Sequence, residues 1–324
     1  MVWHLDVGSS HPGAVVGPKG WAVRPLKRHA SWVQNVVRQF GPYPSRKGVC
    51  LMRKFLALAA TVILGGALLI AGCGNDNNKQ AANNGKQVLK IGATAVPHAE
   101  ILEQVKPILA KDGIDLQITE FTDYNTPNLA LGDKEIDANF FQHIPYMDEF
   151  AKAHNLPLVS VGGVHLEPMG LYSRQIKDLK DLPKGAKIAI PNDPTNGGRA
   201  LLLLQKEGLI TLKDSSNILS TIQDITSNPN GYQFVELEAA QIPRSLDDVA
   251  LAAINTNYAL NAGLNPSKDA LAIESKDSPY VNIVTVLKGN ESDPRIKKLM
   301  EALHTPEIKK FIEDKYQGAI VPAF

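Results

Sequence analysis

The sequence predicts an α/β protein whose body forms two lobes around a hinged cleft, with mainly parallel sheets. Three observations carry this expectation. From Val88 onward, short apolar strands alternate with amphipathic helices, the pattern of sheets covered by their own crossovers. The alternation lapses and restarts at 187–190. A body of roughly 235 residues also exceeds one comfortable core. No flexible linker marks the boundary near 166–171, so the crossing segments are expected to be strand-like and to act as a hinge. Lobe 1 is expected to comprise 88–168 plus 281–324, and lobe 2 169–280.

The elements follow in order. Residues 88–93 (VLKIGA) read as the first strand, with a loop over 94–98. Over 99–111, Ile101, Leu102, Val105, Ile108 and Leu109 recur at helical spacing, and Gly113 ends the helix. Residues 115–121 alternate as a strand does, 128–131 form a short helix, and Ile136-Asp137-Ala138 gives another strand. A helix over 145–154 and an extended run over 156–164 follow. The second series has a strand at 187–190, a helix at 198–207, and strands at 232–237 and 249–254. After a strand at 280–287 the chain ends in helices around 295–304 and 306–316, and there is no tandem repeat.

Charge is unevenly distributed. The 324 residues carry 34 Lys and Arg against 33 Asp and Glu, a formal +1. Nine of the basic residues and one acid, Asp6, fall within 1–72, which leaves 25 basic and 32 acidic residues beyond, a net of −7. An acidic body without a basic stripe excludes nucleic acid as a partner. The two cysteines, Cys50 and Cys73, both precede the α/β body, which excludes a disulfide framework and thiol catalysis there. The body has no Walker loop, no Gly-rich dinucleotide fingerprint, no G-x-S-x-G elbow and no His pair at metal-ligand spacing. The expectation is a binding protein with no catalytic residues, cofactor or metal.

The region before the body reads as an export signal. Met52-Arg53-Lys54 is a basic start, 55–70 is uncharged and apolar, and Ile70-Ala71-Gly72 places small residues before Cys73. The run is too short and wrongly flanked for a stable spanning helix. Residues 70–73 resemble the lipobox of bacterial lipoproteins, in which the cysteine is diacylated and becomes the first mature residue. Residues 74–87 (GNDNNKQAANNGKQ) are too poor in apolar side chains to bury a core and are expected to tether the body to the membrane. Fourteen such residues reach on the order of 20 Å. Residues 52–72 are therefore read as a lipoprotein signal and 73–87 as lipidated Cys73 plus tether, giving a lipid-anchored extracytoplasmic protein. The stretch 1–51 holds all three tryptophans without helical or strand periodicity. We take it as translated upstream sequence, with Met52 as the start.

Two clusters in the body suit ligand binding. Residues 191–199 (PNDPTNGGR) follow a strand and open a helix. The Asp, Thr and Asn are capping residues, Gly197-Gly198 lets backbone approach a ligand, and a helix N-terminus beside Arg199 suits a carboxylate. A capped helix with a surface-paired arginine would read the same way. Residues 139–146 (NFFQHIPY) supply aromatic walls and polar handles in a loop. Phe140 and Phe141 as core residues, with His143 as a satisfied structural histidine, fit that segment equally well. Tyr124, Asn255 and Asn282 share the ambiguity, each near a strand end, where open α/β sheets place ligands.

Five segments in order decide between these readings: 139–143 (NFFQH), 191–199 (PNDPTNGGR), 244–248 (RSLDD), 254–258 (INTNY) and 278–282 (SPYVN). Together they resemble the NLPA lipoproteins, the methionine-binding lipoproteins of ABC importers, over roughly 52–324. The resemblance implies a two-lobe, type II periplasmic-binding-protein-like fold with the ligand in the cleft. It implies that Arg199 pairs with an amino-acid carboxylate. Asn255 and Asn282 would hold its α-amino and carboxylate groups, and Tyr124, Phe141, His143 and Tyr146 would surround the side chain. The implied partners are L-methionine, an importer permease with its ATPase, and the membrane through Cys73. Related solutes (D-methionine, a methionine peptide, another apolar amino acid) fit the same residue types. An enzyme would need a nucleophile or acid–base pair that the sequence does not offer, and an adhesin would need no pocket. His98 is expected at the cleft rim without a ligand role.

Peptide mapping of the native protein tests the N-terminal reading. Acylated Cys73 is expected as the first mature residue, and any peptide from 1–51 would overturn the assignment of Met52 as the start.

Overall fold

The computed structural model describes residues 86–275 and 278–324. The expected upstream stretch, the signal, Cys73 and residues 74–85 of the tether lie outside the described residues. Among those described, no helix is long and apolar enough to cross a membrane.

The chain begins β1 (Gln87–Thr94), α1 (Glu100–Lys111), β2 (Ile114–Phe121), α2 (Thr126–Gly132), β3 (Ala138–His143), α3 (Ile144–His154) and β4 (Leu158–Leu166). It continues with β5 (Gly170–Tyr172), β6 (Lys187–Pro191), α4 (Pro194–Lys206), β7 (Thr211–Leu212), β8 (Ile225–Ser227) and β9 (Gln233–Leu237). Next come β10 (Leu251–Ile254), α5 (Thr256–Asn261), α6 (Pro266–Asp269) and β11 (Ala272–Ile273). The last elements are β12 (Val281–Leu287), α7 (Pro294–Leu303), α8 (Pro306–Tyr316) and β13 (Val321–Pro322).

These elements form two lobes, each built on its own sheet. One sheet has the order β13-β4-β12-β3-β1-β2, the other β11-β5-β10-β6-β9, and β7 and β8 make a separate pair. The chain leaves the first sheet after Leu166, enters the second at Gly170, and returns between Ile273 and Val281. Each sheet has its own core. Ile101, Leu102, Val105 and Leu109 of α1 bury the inner face of that helix, in one cluster with Leu299 and Leu303 of α7 and Ile308 and Ile312 of α8. In the second core Leu201, Leu203 and Leu204 of α4 pack with Ile188, Ile190 and Leu251.

The expectation of mainly parallel sheets needs correction, because both sheets are mixed. The pairs β1–β2, β1–β3, β6–β9 and β6–β10 are parallel. The pairs β3–β12, β4–β12, β4–β13, β5–β10 and β5–β11 are antiparallel. Parallel pairing needs a crossover of a dozen or more residues, usually a helix. The strands that enter or leave the inter-lobe segments lack such a crossover, and they pair antiparallel.

Several boundaries also move. The expected strand at 136–138 is displaced, and NFFQH is strand β3 instead of a loop, with all six residues of β3 buried. Its polar side chains disguise it, and they are satisfied inside the fold. The Asn128 and Gln142 amides pair reciprocally at 2.8 and 2.7 Å, Asn139 Nδ2 donates to Asn128 Oδ1 at 2.8 Å, and Gln142 Nε2 donates to Thr285 Oγ1 at 3.2 Å. Gln87, assigned to the tether, is instead the first residue of β1, where its N–H donates to the Gly113 carbonyl.

Helix α4 starts at Pro194, before the expected 198, because Asp193 accepts from the Asn196 N–H at 2.9 Å as N-cap and Pro194 suits the first turn. Close packing within the lobe requires the two glycines there. A Cβ at Gly197 would lie 2.9 Å from the Pro191 carbonyl oxygen, and one at Gly198 would run into the Ile218 carbonyl. Overpacking of this kind costs about 1–3 kcal/mol. Gly198→Ala is therefore expected to lower the melting temperature by roughly 2–12 °C. An unchanged melting curve would show that the contact relaxes freely.

Candidate functional site

All seven residues expected at a ligand site line one cavity. They are Tyr124, Phe141, His143, Tyr146, Arg199, Asn255 and Asn282, joined by Gln142, Glu167, Asn196, Thr256 and Asn257. The lining is drawn from both lobes and from the segment after β4 that joins them.

Helix α4 supplies the first set. Both oxygens of Asp193 accept from Asn196 Nδ2 at 3.0 Å, so Asn196 Oδ1 is left for other donors. Asn255 Nδ2 donates to it at 2.8 Å, and His143 Nε2 approaches it at 3.4 Å from the other lobe. His143 Nδ1 accepts the Tyr146 N–H at 3.2 Å and caps α3, so the ring proton sits on Nε2, facing Asn196. Burial, with Arg199 adding to it, lowers this histidine from its ordinary 6.5 to about 3.

Arg199 is heavily engaged. Nε lies 3.1 and 3.0 Å from the two oxygens of Glu274, and Nη2 lies 2.5 Å from Glu274 Oε2. Nη2 also donates to the Glu167 carbonyl at 2.7 Å, and the guanidinium carbon lies 4.3 Å from the centre of the Tyr280 ring. Nη1 makes no hydrogen bond among the described residues.

The aromatic wall is Tyr124, Phe141 and Tyr146, with ring centres 5.8–6.0 Å apart. Tyr124 Oη donates to Asn257 Oδ1 at 2.6 Å across the lobes, and Tyr146 Oη donates to the Tyr124 carbonyl at 3.0 Å. Among the described residues, two buried polar atoms in the lining have no partner: Asn255 Oδ1, an acceptor, and Asn257 Nδ2, a donor.

Glu167 joins the cavity to a buried cluster behind it. Its Oε1 lies 2.7 Å from His165 Nε2 and 3.2 Å from His98 Nε2, and its Oε2 accepts the Asn257 N–H at 3.1 Å. Burial raises its carboxyl above the ordinary range, opposed by His98, Arg199 and that N–H. His98 does not sit at the rim as expected. It is buried, and its Nε2 lies 3.0 Å from Asn282 Oδ1. His98, His165 and Glu167 have donor atoms within 4.8 Å of one another, a grouping of metal-ligand size. Within it, His165 is hydrogen-bonded to Glu167 and His98 to Asn282.

The five additional lining residues differ in how visible they were. Gln142, Asn196, Thr256 and Asn257 lie inside the quoted segments. Glu167 does not, and its only signal was an acid after the apolar end of β4. Thr256 Oγ1 is occupied in donating to the Pro168 carbonyl at 2.5 Å. The arrangement offers donors, acceptors, one carboxylate and an aromatic wall, which suits holding a small polar molecule with an apolar side chain.

The profile of the family described as NlpA lipoprotein matches residues 89–324. The methionine-binding lipoprotein MetQ of Bacillus subtilis is 43% identical over 278 residues, covering 84% of this chain and 99% of that protein. The D-methionine-binding lipoprotein MetQ of Escherichia coli is 42% identical over 272 residues, covering 83% and 98%. The solved structure of a nutrient binding protein from Burkholderia cenocepacia bound to methionine superposes with a TM-score of 0.71 at 45% identity. It covers 73% of this chain and 100% of that one.

The buried histidines give the protein a pH-dependent stability. Burial lowers His98 to about 4 and His143 and His165 to about 3, against 6.5 when unfolded. Between pH 6.5 and about 4 the unfolded chain binds protons that the native rings refuse, so stability falls as the pH falls. The slope is roughly 1 kcal/mol per pH unit per histidine. Urea unfolding is expected to show a lower free energy at pH 5 than at pH 7, and equal values would mean the rings are protonated in the fold.

Proposed function

Because the chain belongs to the NlpA lipoprotein family, we propose that it is the substrate-binding lipoprotein of an ABC importer, capturing L-methionine in the cavity between its lobes. The observation that carries this is the unpartnered pair Asn255 Oδ1 and Asn257 Nδ2, an acceptor and a donor buried together. An amino acid brings both complements, an ammonium donor and a carboxylate acceptor, and buried polar groups without partners cost free energy until they are met.

On this reading the carboxylate takes the donors of the site: Asn257 Nδ2, Asn282 and the free Nη1 of Arg199. The ammonium takes Asn255 Oδ1 and the Glu167 carboxylate. The thioether lies against Tyr124, Phe141 and Tyr146, where each sulfur–aromatic contact contributes about 0.3–1.5 kcal/mol. The segments 167–169, 274–275 and 278–280 act as the hinge between lobe 1 (88–168 plus 281–324) and lobe 2 (169–280), and closure signals loading to the permease and its ATPase. Cys73 carries the lipid that holds the protein at the extracytoplasmic membrane face. The role is capture and not catalysis.

D-Methionine is a second reading, favoured by the name of the Escherichia coli relative. Isothermal titration of the purified protein, unfolded and refolded to strip ligand, separates the two. Tight one-to-one binding of L-methionine, weaker binding of D-methionine and little response to other amino acids are expected. Arg199→Ala is expected to abolish that binding. It removes a carboxylate donor and leaves Glu274 unpaired, and breaking a buried pair costs about 3–5 kcal/mol. Wild-type affinity in that variant would remove Arg199 from the site, and silence from a folded protein toward every amino acid would favour an adhesive or structural role.

A further inference from the structure

A carboxamide has a donor edge and an acceptor edge, and only the donor edge can hold a carboxylate. For Asn282 the choice is made behind the cavity. His98 Nε2 faces both Asn282 Oδ1, at 3.0 Å, and Glu167 Oε1, at 3.2 Å. An ionised carboxylate only accepts, so the nitrogen facing it carries the ring proton. Nδ1 is then the acceptor, and Thr94 Oγ1, 2.7 Å away, donates to it. With an N–H aimed at it, the Asn282 amide turns its oxygen inward, and Nδ2 is the edge left for the cavity. The imidazole is locked in place. Thr94 and His98 are both buried, and the ring meets Phe140 edge-on at 4.7 Å and His165 at 4.9 Å. Burial also keeps it neutral, lowering it to about 4.

We propose that His98, backed by Thr94, is a positioning residue that fixes the Asn282 amide with its NH2 edge toward the cavity, so that the site offers a donor for the ligand carboxylate at that corner. The inference rests on the amino-acid reading above and assigns His98 a role in ligand selection without contact with the ligand.

The test is a double-mutant cycle read by titration with L-methionine, or with whichever amino acid the wild type binds. His98→Phe is expected to weaken binding roughly 10- to 100-fold, the loss of a buried hydrogen bond that orients a ligand contact. His98→Gln, which can place an N–H near the same point, recovers most of it. In an Asn282→Ala background His98→Phe should cost little more, since its effect passes through that amide. Preference for L-methionine over L-methioninamide should also shrink in His98→Phe. Wild-type affinity in His98→Phe, or the same fold-loss with and without Asn282, overturns the proposal. Nitrogen-15 NMR of the ligand-free protein gives a second readout that needs neither a variant nor a ligand. His98 protonated on Nε2 and bare on Nδ1 between pH 5.5 and 8 supports the proposal, and the opposite tautomer overturns it. If the wild type binds no amino acid, the functional reading fails while the tautomer still judges the role of His98.

Discussion

One guanidinium holds both segments by which the chain passes between its lobes. Arg199, on α4 of the second lobe, donates to the Glu167 carbonyl in the outgoing segment and to the Glu274 carboxylate in the returning one. Its flat face lies over Tyr280, just before the chain re-enters the first sheet. Lysine could not replace it, because the fork reaches several acceptors and stacks at the same time. A buried ion pair adds little net stability compared with apolar packing, yet it strongly penalises any arrangement that breaks it. Arg199 therefore makes the path of the crossing segments depend on one position at the floor of the cavity.

Around that point each cavity side chain is oriented by a partner outside the cavity. Both oxygens of Asp193 accept from the Asn196 amide nitrogen, which turns the Asn196 oxygen toward Asn255 and His143. Tyr124 holds the oxygen of Asn257, which turns its NH2 group outward. The Tyr146 main chain sets the His143 tautomer. Such networks are worth having in a low-dielectric interior only when nearly every member is satisfied. Among the described residues five buried side-chain atoms lack a partner, and two of them, Asn255 Oδ1 and Asn257 Nδ2, lie in the cavity lining, where a ligand would complete them.

Much of this was legible in the sequence, and the failures have physical causes. Apolar periodicity found the helix ending at Lys111 and the strand opening at Lys187, because each has one exposed and one buried face or a continuous apolar run. It missed β3, whose polar side chains pair with one another inside the core and so carry no alternation. Strand direction was misjudged because periodicity reports burial, while direction depends on which segment delivers the strand to the sheet. The site residues that stood out sat in motifs dense with Asn, Gly, Pro and aromatics. Glu167 and His98 did not, because what they do depends on partners far along the chain: His98 lies 184 residues before Asn282.

The chemistry of the lining predicts uneven selectivity. Buried amides with enforced orientation read hydrogen-bonding groups severely, because a ligand lacking the complement leaves an N–H or C=O unmet in a dry cavity. An aromatic wall reads shape leniently, since one methylene more or less changes binding by only about 1–3 kcal/mol. A cavity lined by both amides and rings should therefore be strict about the amino and carboxylate groups of its ligand and tolerant of the side chain. Sharper side-chain discrimination would have to come from how tightly the lobes close over Tyr124, Phe141 and Tyr146. Those three residues all belong to the first lobe, and the amides Asn255 and Asn257 to the second, so closing the lobes would bring the two kinds of recognition together on one ligand.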